Sequence, residues 1–493
     1  MIGYSKHFNV IVVGVGGMGS ATCYQLARRG KRVLGIEKYD IPHDLGSSHG
    51  YTRIIRLAYY EHPSYVMLLR RSYELWEEIE RRTSTKLLHK VGSIDAGPAD
   101  SWVFKGSLQS CVEHDLPHEV LTGKELHDRF PGYNLPYDHL AVLQPDGGFL
   151  VPEQATVAFV EAAQAMGAEI RGREEMLEWR PTSEGGVRVF TDRGEYTADR
   201  LVITAGSWNQ NVLPFLRGLA VPERQVLAWL QPERPELFRP ERFPVFNCLV
   251  NEGRYYGFPV FGVPGFKFGK YHHFEEQGPA DQIDFEPRWD DEEMLREFAA
   301  RYFPLGAGPV MSLKACMFTN SPDGHFIMDL HPDYPQVSFA AGFSGHGYKF
   351  ASVIGEILAD LAERGDTRHD ISLFNLARFT GQVSALHAGH MAVGCRGRRQ
   401  RHVASQRPVL AEPELRHTYG KPPFGKRATA PRFNGNGVRS YLNDQLQTLS
   451  GRDAVALRNN RYSYQHGLVD SNLPMLLVCI PGTRLSNDKT NPN

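Results

Sequence analysis

Residues 9–37, NVIVVGVGGMGSATCYQLARRGKRVLGIE, constrain this chain more than any other stretch. An apolar strand, Val10 to Val13, runs into Gly14-x-Gly16-x-x-Gly19. An amphipathic helix follows and closes at Gly30, and a second strand, Arg32 to Ile36, ends on Glu37. Three glycines alone say little. Here they stand between strand and helix, with an acidic residue after the second strand, which is the context a dinucleotide-binding unit requires. Gly14 permits the tight turn, Gly16 lets backbone N–H groups approach a pyrophosphate, and Gly19 lets helix and strand pack closely. The positive end of the helix faces the phosphates. Glu37 is placed to accept hydrogen bonds from a ribose and to repel a 2′-phosphate, so NADP is disfavoured.

The 493 residues suffice for two or three domains. A hydrophobic share of 41% is globular, and a formal charge of −1 suggests neither a nucleic-acid nor a membrane-surface partner. That balance hides an asymmetry, because residues 381–493 carry 16 Lys+Arg against 6 Asp+Glu. The six cysteines (23, 111, 248, 316, 395 and 479) form no CxxC pair, which argues against a disulfide framework or a zinc site and fits a reducing compartment. The first strand begins within ten residues, and no apolar run reaches the ~18 residues of a membrane span. A cytoplasmic location, no metal and no membrane partner are expected.

After Glu37 comes a loop rich in Pro, Gly, Ser and His, Ile41 to Tyr51, and then a helix-like stretch carrying TRIIR. Ser64 to Arg82 places Tyr65, Leu68, Leu69, Tyr73, Trp76 and Ile79 at helical spacing. Val187 to Thr191 alternates as a strand, LVITAGSW from Leu201 to Trp208 reads as a buried one, and residues 220–275 read as short strands of a mainly antiparallel sheet (QVLAWL, RYYGFPV, FKFGKYHH). Val337 to Ala341 is again a buried strand, followed by GFSGHGYK and a helix from Phe350 to Arg364. The expected fold is α/β. A Rossmann-type domain of residues 1–90, 146–215 and 320–380 is interleaved with a substrate domain of 91–145 and 216–319. From about Thr380 periodicity fades, and 381–493 is expected to be an irregular, disordered basic tail.

Several residues are candidates for chemistry. Arg53 and Arg56, at i,i+3 on one helix face, could clamp a carboxylate, although spacing alone favours a solvated face. Cys316 in KACMFTNSPDGHF reads by itself as a small buried hydrophobe. Gly345, His346, Gly347 and Lys349 sit at a strand-to-helix junction where backbone can approach a ligand closely.

These pieces together resemble a family. GVGGMG, SSHGYTRIIR, YYGFPVFG, KACMFTNSPDGHFIMDLHP and AAGFSGHGYKF are similar to blocks of the monomeric sarcosine oxidase family, which includes N-methyl-L-tryptophan and L-pipecolate oxidases. The resemblance spans roughly residues 8–379. It implies FAD bound through Gly14, Gly16 and Gly19 and attached covalently to Cys316. It also implies a substrate-carboxylate site of Arg56 and Lys349, with His49 and Arg53 beside the flavin and Tyr256, Lys267 and His272 among the catalytic residues. Basic groups near the thiol are expected to favour its thiolate.

Two departures stand out. Phe318 occupies a position where the family often has tyrosine. The run Lys267-Phe-Gly-Lys270-Tyr-His272 holds one residue more than the family's K-x-G-Y-H. In an extended strand Lys267 and His272 face opposite sides, and Lys270 and His272 share one, unless a bulge at Gly269 intervenes. The activity implied is oxidation of a secondary (N-methyl or cyclic) amino acid by a monomeric enzyme, giving an imine, then formaldehyde plus amino acid, with hydrogen peroxide from dioxygen. A dehydrogenase passing electrons to a quinone or protein carrier is the alternative.

Overall fold

The computed structural model describes residues 6–379, so the expectation for 381–493 lies outside the described residues. The first sheet is built on Lys6–Val13, which pairs in parallel with Val33–Ile36 on one side and Glu195–Ile203 on the other. Val337–Ala341 extends it beyond Glu195–Ile203 and Glu169–Arg171 beyond Val33–Ile36, both in parallel. Val10 and Val12 pack into the core beneath the helices, and Ile11 and Val13 into the core on the opposite face. Burial on both faces explains why this strand reads as an unbroken apolar run. The Gly17–Arg28 helix packs against Pro152–Gln164 and Ala351–Arg364.

The second sheet has eight strands, in the order Val310–Asn320, Val221–Leu230, Phe266–Lys270, Gly253–Phe258, Val245–Val250, Ser93–Gly97, Leu140–Gln144 and Glu119–Thr122. Its pairs are antiparallel except Val245–Val250 with Ser93–Gly97. The period of two along each strand divides this sheet chemically. One face carries Phe246, Tyr255, Phe266, Phe268 and Ala315 and is covered by the Trp289–Tyr302 helix through Leu295, Phe298 and Ala299. The other carries Trp229, Tyr256, Phe258, Lys267 and Cys316. A one-residue slip of Phe266–Lys270 would drive the Lys267 ammonium into the aromatic core and take Phe266 and Phe268 out of it. Burying each Phe is worth roughly 1.5–3 kcal/mol. The register is therefore strongly specified.

Three local expectations fail. Thr52 to Arg56 is no helix: Arg53–Ile55 is a strand, paired antiparallel with Gly148–Leu150 so that Ile54 faces Phe149. Two adjacent β-branched residues and an available edge outweigh the helical reading. Arg53 and Arg56 therefore do not share a helix face. The Leu201–Trp208 strand stops at Ile203, and Gly206–Trp208 is a 3-10 turn. Phe266–Lys270 ends before His272, whose φ is 53°, and its register through Gly269 is regular, with no bulge. Among the described residues no helix is long and apolar enough to cross a membrane.

Candidate active site

A cavity of about 520 Å³ opens at the carboxyl ends of the parallel strands, where ligands bind in open α/β sheets. Gly14, Gly16 and Glu37 line it, and Thr204–Gly206 and Gly342, Gly345 and Gly347 close it from the neighbouring strands. Gly14 has φ +88°, and a Cβ there would meet the Thr204 carbonyl oxygen at 2.5 Å. A Cβ on Gly19 would fall 1.8 Å from the Gly14 carbonyl oxygen. Side chains are excluded at both positions by sterics alone. Glu37 is buried, and its carboxylate oxygens accept from the N–H groups of Val15 (2.8 Å) and Tyr39 (3.0 Å). The same carboxylate thus joins the glycine loop to the chain leaving the second strand.

The Ile41 to Tyr51 loop crosses to the second sheet. Ser47 Oγ donates to the Met317 carbonyl (2.6 Å), next to Cys316. Arg53 lines the cavity and donates to the carbonyls of Thr52 (2.9 Å) and Ser47 (2.8 Å). Lys267 is buried, and its ammonium donates to Gly50 O (2.6 Å), Thr52 O (2.8 Å) and Thr52 Oγ1 (2.9 Å), with the Phe258 ring centre 4.2 Å away. Burial, with Arg53 second, pushes this ammonium well below the usual lysine range. His49 is 2% exposed, and both ring nitrogens lack a partner. Burial and the cations Arg53 and Lys314 hold it neutral, down to about 3. His49 does not itself line the cavity, although Ser48 before it does, and its two unpartnered nitrogens are buried polar atoms without a protein partner among the described residues.

Cys316 is buried in the aromatic cluster beside the cavity, with Tyr256 and Tyr271, and its neighbours Met317 and Phe318 line the cavity itself. Burial raises the Cys316 thiol, while Arg53 and Lys267 pull the other way. The basic neighbours expected from the sequence are present, but desolvation outweighs them.

A second cluster gathers around Tyr59. Arg56 is 1% exposed; its guanidinium donates to the Ala58 carbonyl and to Glu61 (2.8 Å), and stands 3.7 Å from Asp95. Asp95 is fixed in turn by Ser107 (2.6 Å) and Asn247 (2.8 Å). Lys349 donates to the His346 carbonyl (2.6 Å). Both cations lie over the Tyr59 ring, at 4.5 and 5.3 Å from its centre. Burial and the Arg56 charge push Lys349 down to about 7, whereas Arg56 and its cationic neighbours outweigh burial and hold Glu61 at about 2. His346 does not line the cavity. Its Nε2 faces the Gly324 carbonyl (2.9 Å), which only an N–H satisfies, so Nδ1 accepts from the Tyr59 hydroxyl (2.6 Å). His346 thus orients Tyr59 as a neutral imidazole, pushed by burial to about 3.

Cys316, Tyr256 and Lys267 share one face of the second sheet, while Lys270 points to the other. His272 is half exposed and pairs with Glu223 (3.0 Å) at the strand's open end. Glu61, Asp95, Asn247 and Tyr59 escaped the sequence reading. An aspartate inside the buried strand Ser93–Gly97 was the available signal.

Residues 9–361 match the family model described as FAD dependent oxidoreductase. The chain is 41% identical over 379 residues to monomeric sarcosine oxidase of Bacillus sp. (strain NS-129), covering 76% of this chain and 97% of that one. It is 34% identical over 374 residues to N-methyl-L-tryptophan oxidase of Yersinia pestis (strain Pestoides F), covering 76% and 99%. The open form of NikD, an amino acid oxidase of nikkomycin biosynthesis, superposes with a TM-score of 0.66 at 25% identity, over 75% of this chain and 98% of that one. L-proline dehydrogenase from P. horikoshii shares the fold, with a TM-score of 0.68 at 22% identity over 77% and 99%.

Proposed function

Because this chain belongs to the family of FAD dependent oxidoreductases, we propose that it oxidises secondary amino acids, N-methyl or cyclic, with dioxygen as acceptor. The observation that carries the reading is the adjacency of two sites: a dinucleotide cavity lined by Gly345, Gly347 and Tyr348, and, from the next residue on, a buried cationic cluster of Lys349 and Arg56 over Tyr59 suited to an amino-acid carboxylate. The glycine loop and Glu37 would hold the pyrophosphate and ribose of FAD, and His49 and Arg53 would lie by its ring system. Cys316 is the residue we assign to covalent attachment. Bound FAD supplies two-electron acceptance from the C–H bond beside the amine nitrogen and delivery of those electrons to dioxygen as hydrogen peroxide. The substrate-derived imine takes up water and yields formaldehyde plus the primary amino acid when the oxidised carbon is an N-methyl group.

Arg56 and Lys349 are assigned to the substrate carboxylate, with Tyr59 as the platform that aligns both. Glu61 and Asp95 fix the Arg56 fork before substrate arrives, which limits the ordering cost of binding. We place the enzyme in the cytoplasm as a monomer, a reading supported by the scattered cysteines and the name of its relatives. The direct test is a screen of sarcosine, larger N-methyl amino acids and pipecolate, read by peroxide output. Amine oxidation without peroxide under air favours a dehydrogenase.

Arg56→Met is expected to weaken substrate binding by roughly 2–5 kcal/mol, and Lys349→Met by a similar amount, with flavin retained in both. Arg56→Lys separates charge from the bidentate fork, since ammonium keeps only the former. The pH profile carries a sign. An anion beside Lys349 favours the ammonium, so binding is tightest below about pH 7 and weakens as pH rises through it. Steady-state KM from pH 6 to 9 checks this; a flat profile together with unaltered affinity in both Met variants places the carboxylate elsewhere.

A further inference from the structure

Arg254 is a cation that the chemistry above does not use. It lies two residues before Tyr256, on the same face of the second sheet, and opposite Tyr271, whose N–H donates to the Arg254 carbonyl (2.9 Å). Its guanidinium is half-buried among aromatic rings, 3.5 Å from the centre of Tyr271, 5.0 Å from Trp102 and 5.7 Å from Tyr60. The carboxylates of the region are taken, since Glu61 and Asp95 both pair with Arg56. Among the described residues Arg254 has no carboxylate within ion-pair distance. Stacking covers the flat of a guanidinium and leaves its N–H edge available.

Two further observations locate this cation at the substrate site. Arg56 stands 3.9 Å from the same Tyr60 ring centre, so the two guanidinium groups are separated by no more than the sum of their distances to it. The Arg254 charge is also felt by Lys349, His346 and Glu61. The Tyr60 hydroxyl is buried beside Tyr271 yet makes no hydrogen bond of ordinary geometry. Trp102, 49% exposed, covers the outer side of the group. A stacked cation with a free donor edge and an unsatisfied hydroxyl form a receptor for an anionic oxygen.

We propose that Arg254, with Tyr60, forms a second carboxylate subsite, and that the preferred substrate is a secondary amino acid bearing a carboxylate on its side chain. This deepens the function proposed above and rests on it. The α-carboxylate goes to Arg56 and Lys349, and the side-chain carboxylate reaches Arg254 at a charge-assisted distance of about 2.8 Å. The mismatch with a substrate lacking that group is a half-buried cation left unanswered, which is how polar subsites discriminate.

The test uses the flavin-loaded enzyme and three variants: Arg254→Met, Arg254→Lys and Arg254→Gln. Turnover of N-methyl-L-glutamate, N-methyl-L-aspartate and sarcosine is measured, with calorimetric binding of N-methyl-L-glutamate under anaerobic conditions. The expected result is a wild-type preference in kcat/KM for the dicarboxylic substrates. Arg254→Met should reduce that preference about 10- to 100-fold, through KM rather than kcat, with partial recovery in Arg254→Lys. A wild-type enzyme without that preference overturns the proposal, and so does an equal loss for all three substrates in Arg254→Gln with an unchanged melting temperature. If no secondary amino acid is oxidised, the proposed function falls. The calorimetric affinity for N-methyl-L-glutamate then decides the subsite on its own: weaker binding in the variants supports it, and unaltered binding refutes it.

Discussion

After denaturation in acid, the yellow chromophore is expected to remain with the polypeptide, and a Cys316→Ser protein is expected to release all of it. The geometry sets the terms. Cys316 lies beside the cavity, on a strand tied to the cofactor loop through Ser47 and the Met317 carbonyl. Its thiol is raised by burial, so it does not stand ready as a thiolate. Arg53 and Lys267 oppose that shift, so they would be the groups that stabilise negative charge on the Cys316 sulfur if it attaches to FAD. Arg53→Met should therefore slow attachment without abolishing binding of FAD to the glycine loop. The measurement is the fraction of flavin absorbance remaining with precipitated protein. Complete release from the unmodified protein sinks the assignment.

Lys267→Met is expected to slow reoxidation by air about 10²- to 10³-fold, the cost of removing one preorganised charge-stabilising donor. The first electron passed to dioxygen creates a localised anion, and a fixed ammonium in a site shielded from water lowers that step's barrier. Lys267 is held by three oxygens of Gly50 and Thr52 and packed under Phe258. The same contacts fasten the 50–52 segment, so the variant also leaves buried acceptors unpaired, and its melting temperature must be measured alongside. Lys270, on the opposite face of the strand, serves as the control. Stopped-flow reduction without oxygen, followed by mixing with air, separates the half-reactions. If Lys270→Met alone shows the defect, the register of roles is wrong. If neither does, electron transfer to a quinone or protein carrier becomes the better account.

Much of this molecule was legible in the chain by itself, and the reason is locality. The turn between Val13 and Gly17 is specified largely within a few residues, by the left-handed φ of Gly14 (+88°) and by Gly19, where a Cβ would collide with the Gly14 carbonyl; the clash of a Gly14 Cβ with Thr204 is a tertiary addition. The amphipathic Tyr65–Thr83 helix and the αL cap at Gly365 follow from the same kind of short-range rule. The cofactor loop and the paired blocks around Cys316 and Lys349 needed no tertiary information to be singled out.

What the chain alone left open was which side each candidate faces and who neutralises it. Alternation says that Lys267 and Lys270 point apart; only the Trp289–Tyr302 helix, closing one face with Phe298 and Leu295, decides which of them meets Cys316. Arg53 and Arg56 looked like neighbours on a helix until pairing with Gly148–Leu150 drew their segment into a strand. Asn247 steadies Asp95, the carboxylate beside Arg56, only because Ser93–Gly97 and Val245–Val250 pair in parallel across about 150 residues of chain. Arg254 was an unremarked residue before Tyr256 until Tyr60, Trp102 and Tyr271 came together around it. Charge balance in a buried site is a sum over non-local partners, and long-range pairing is the part of a fold that periodicity and spacing do not encode.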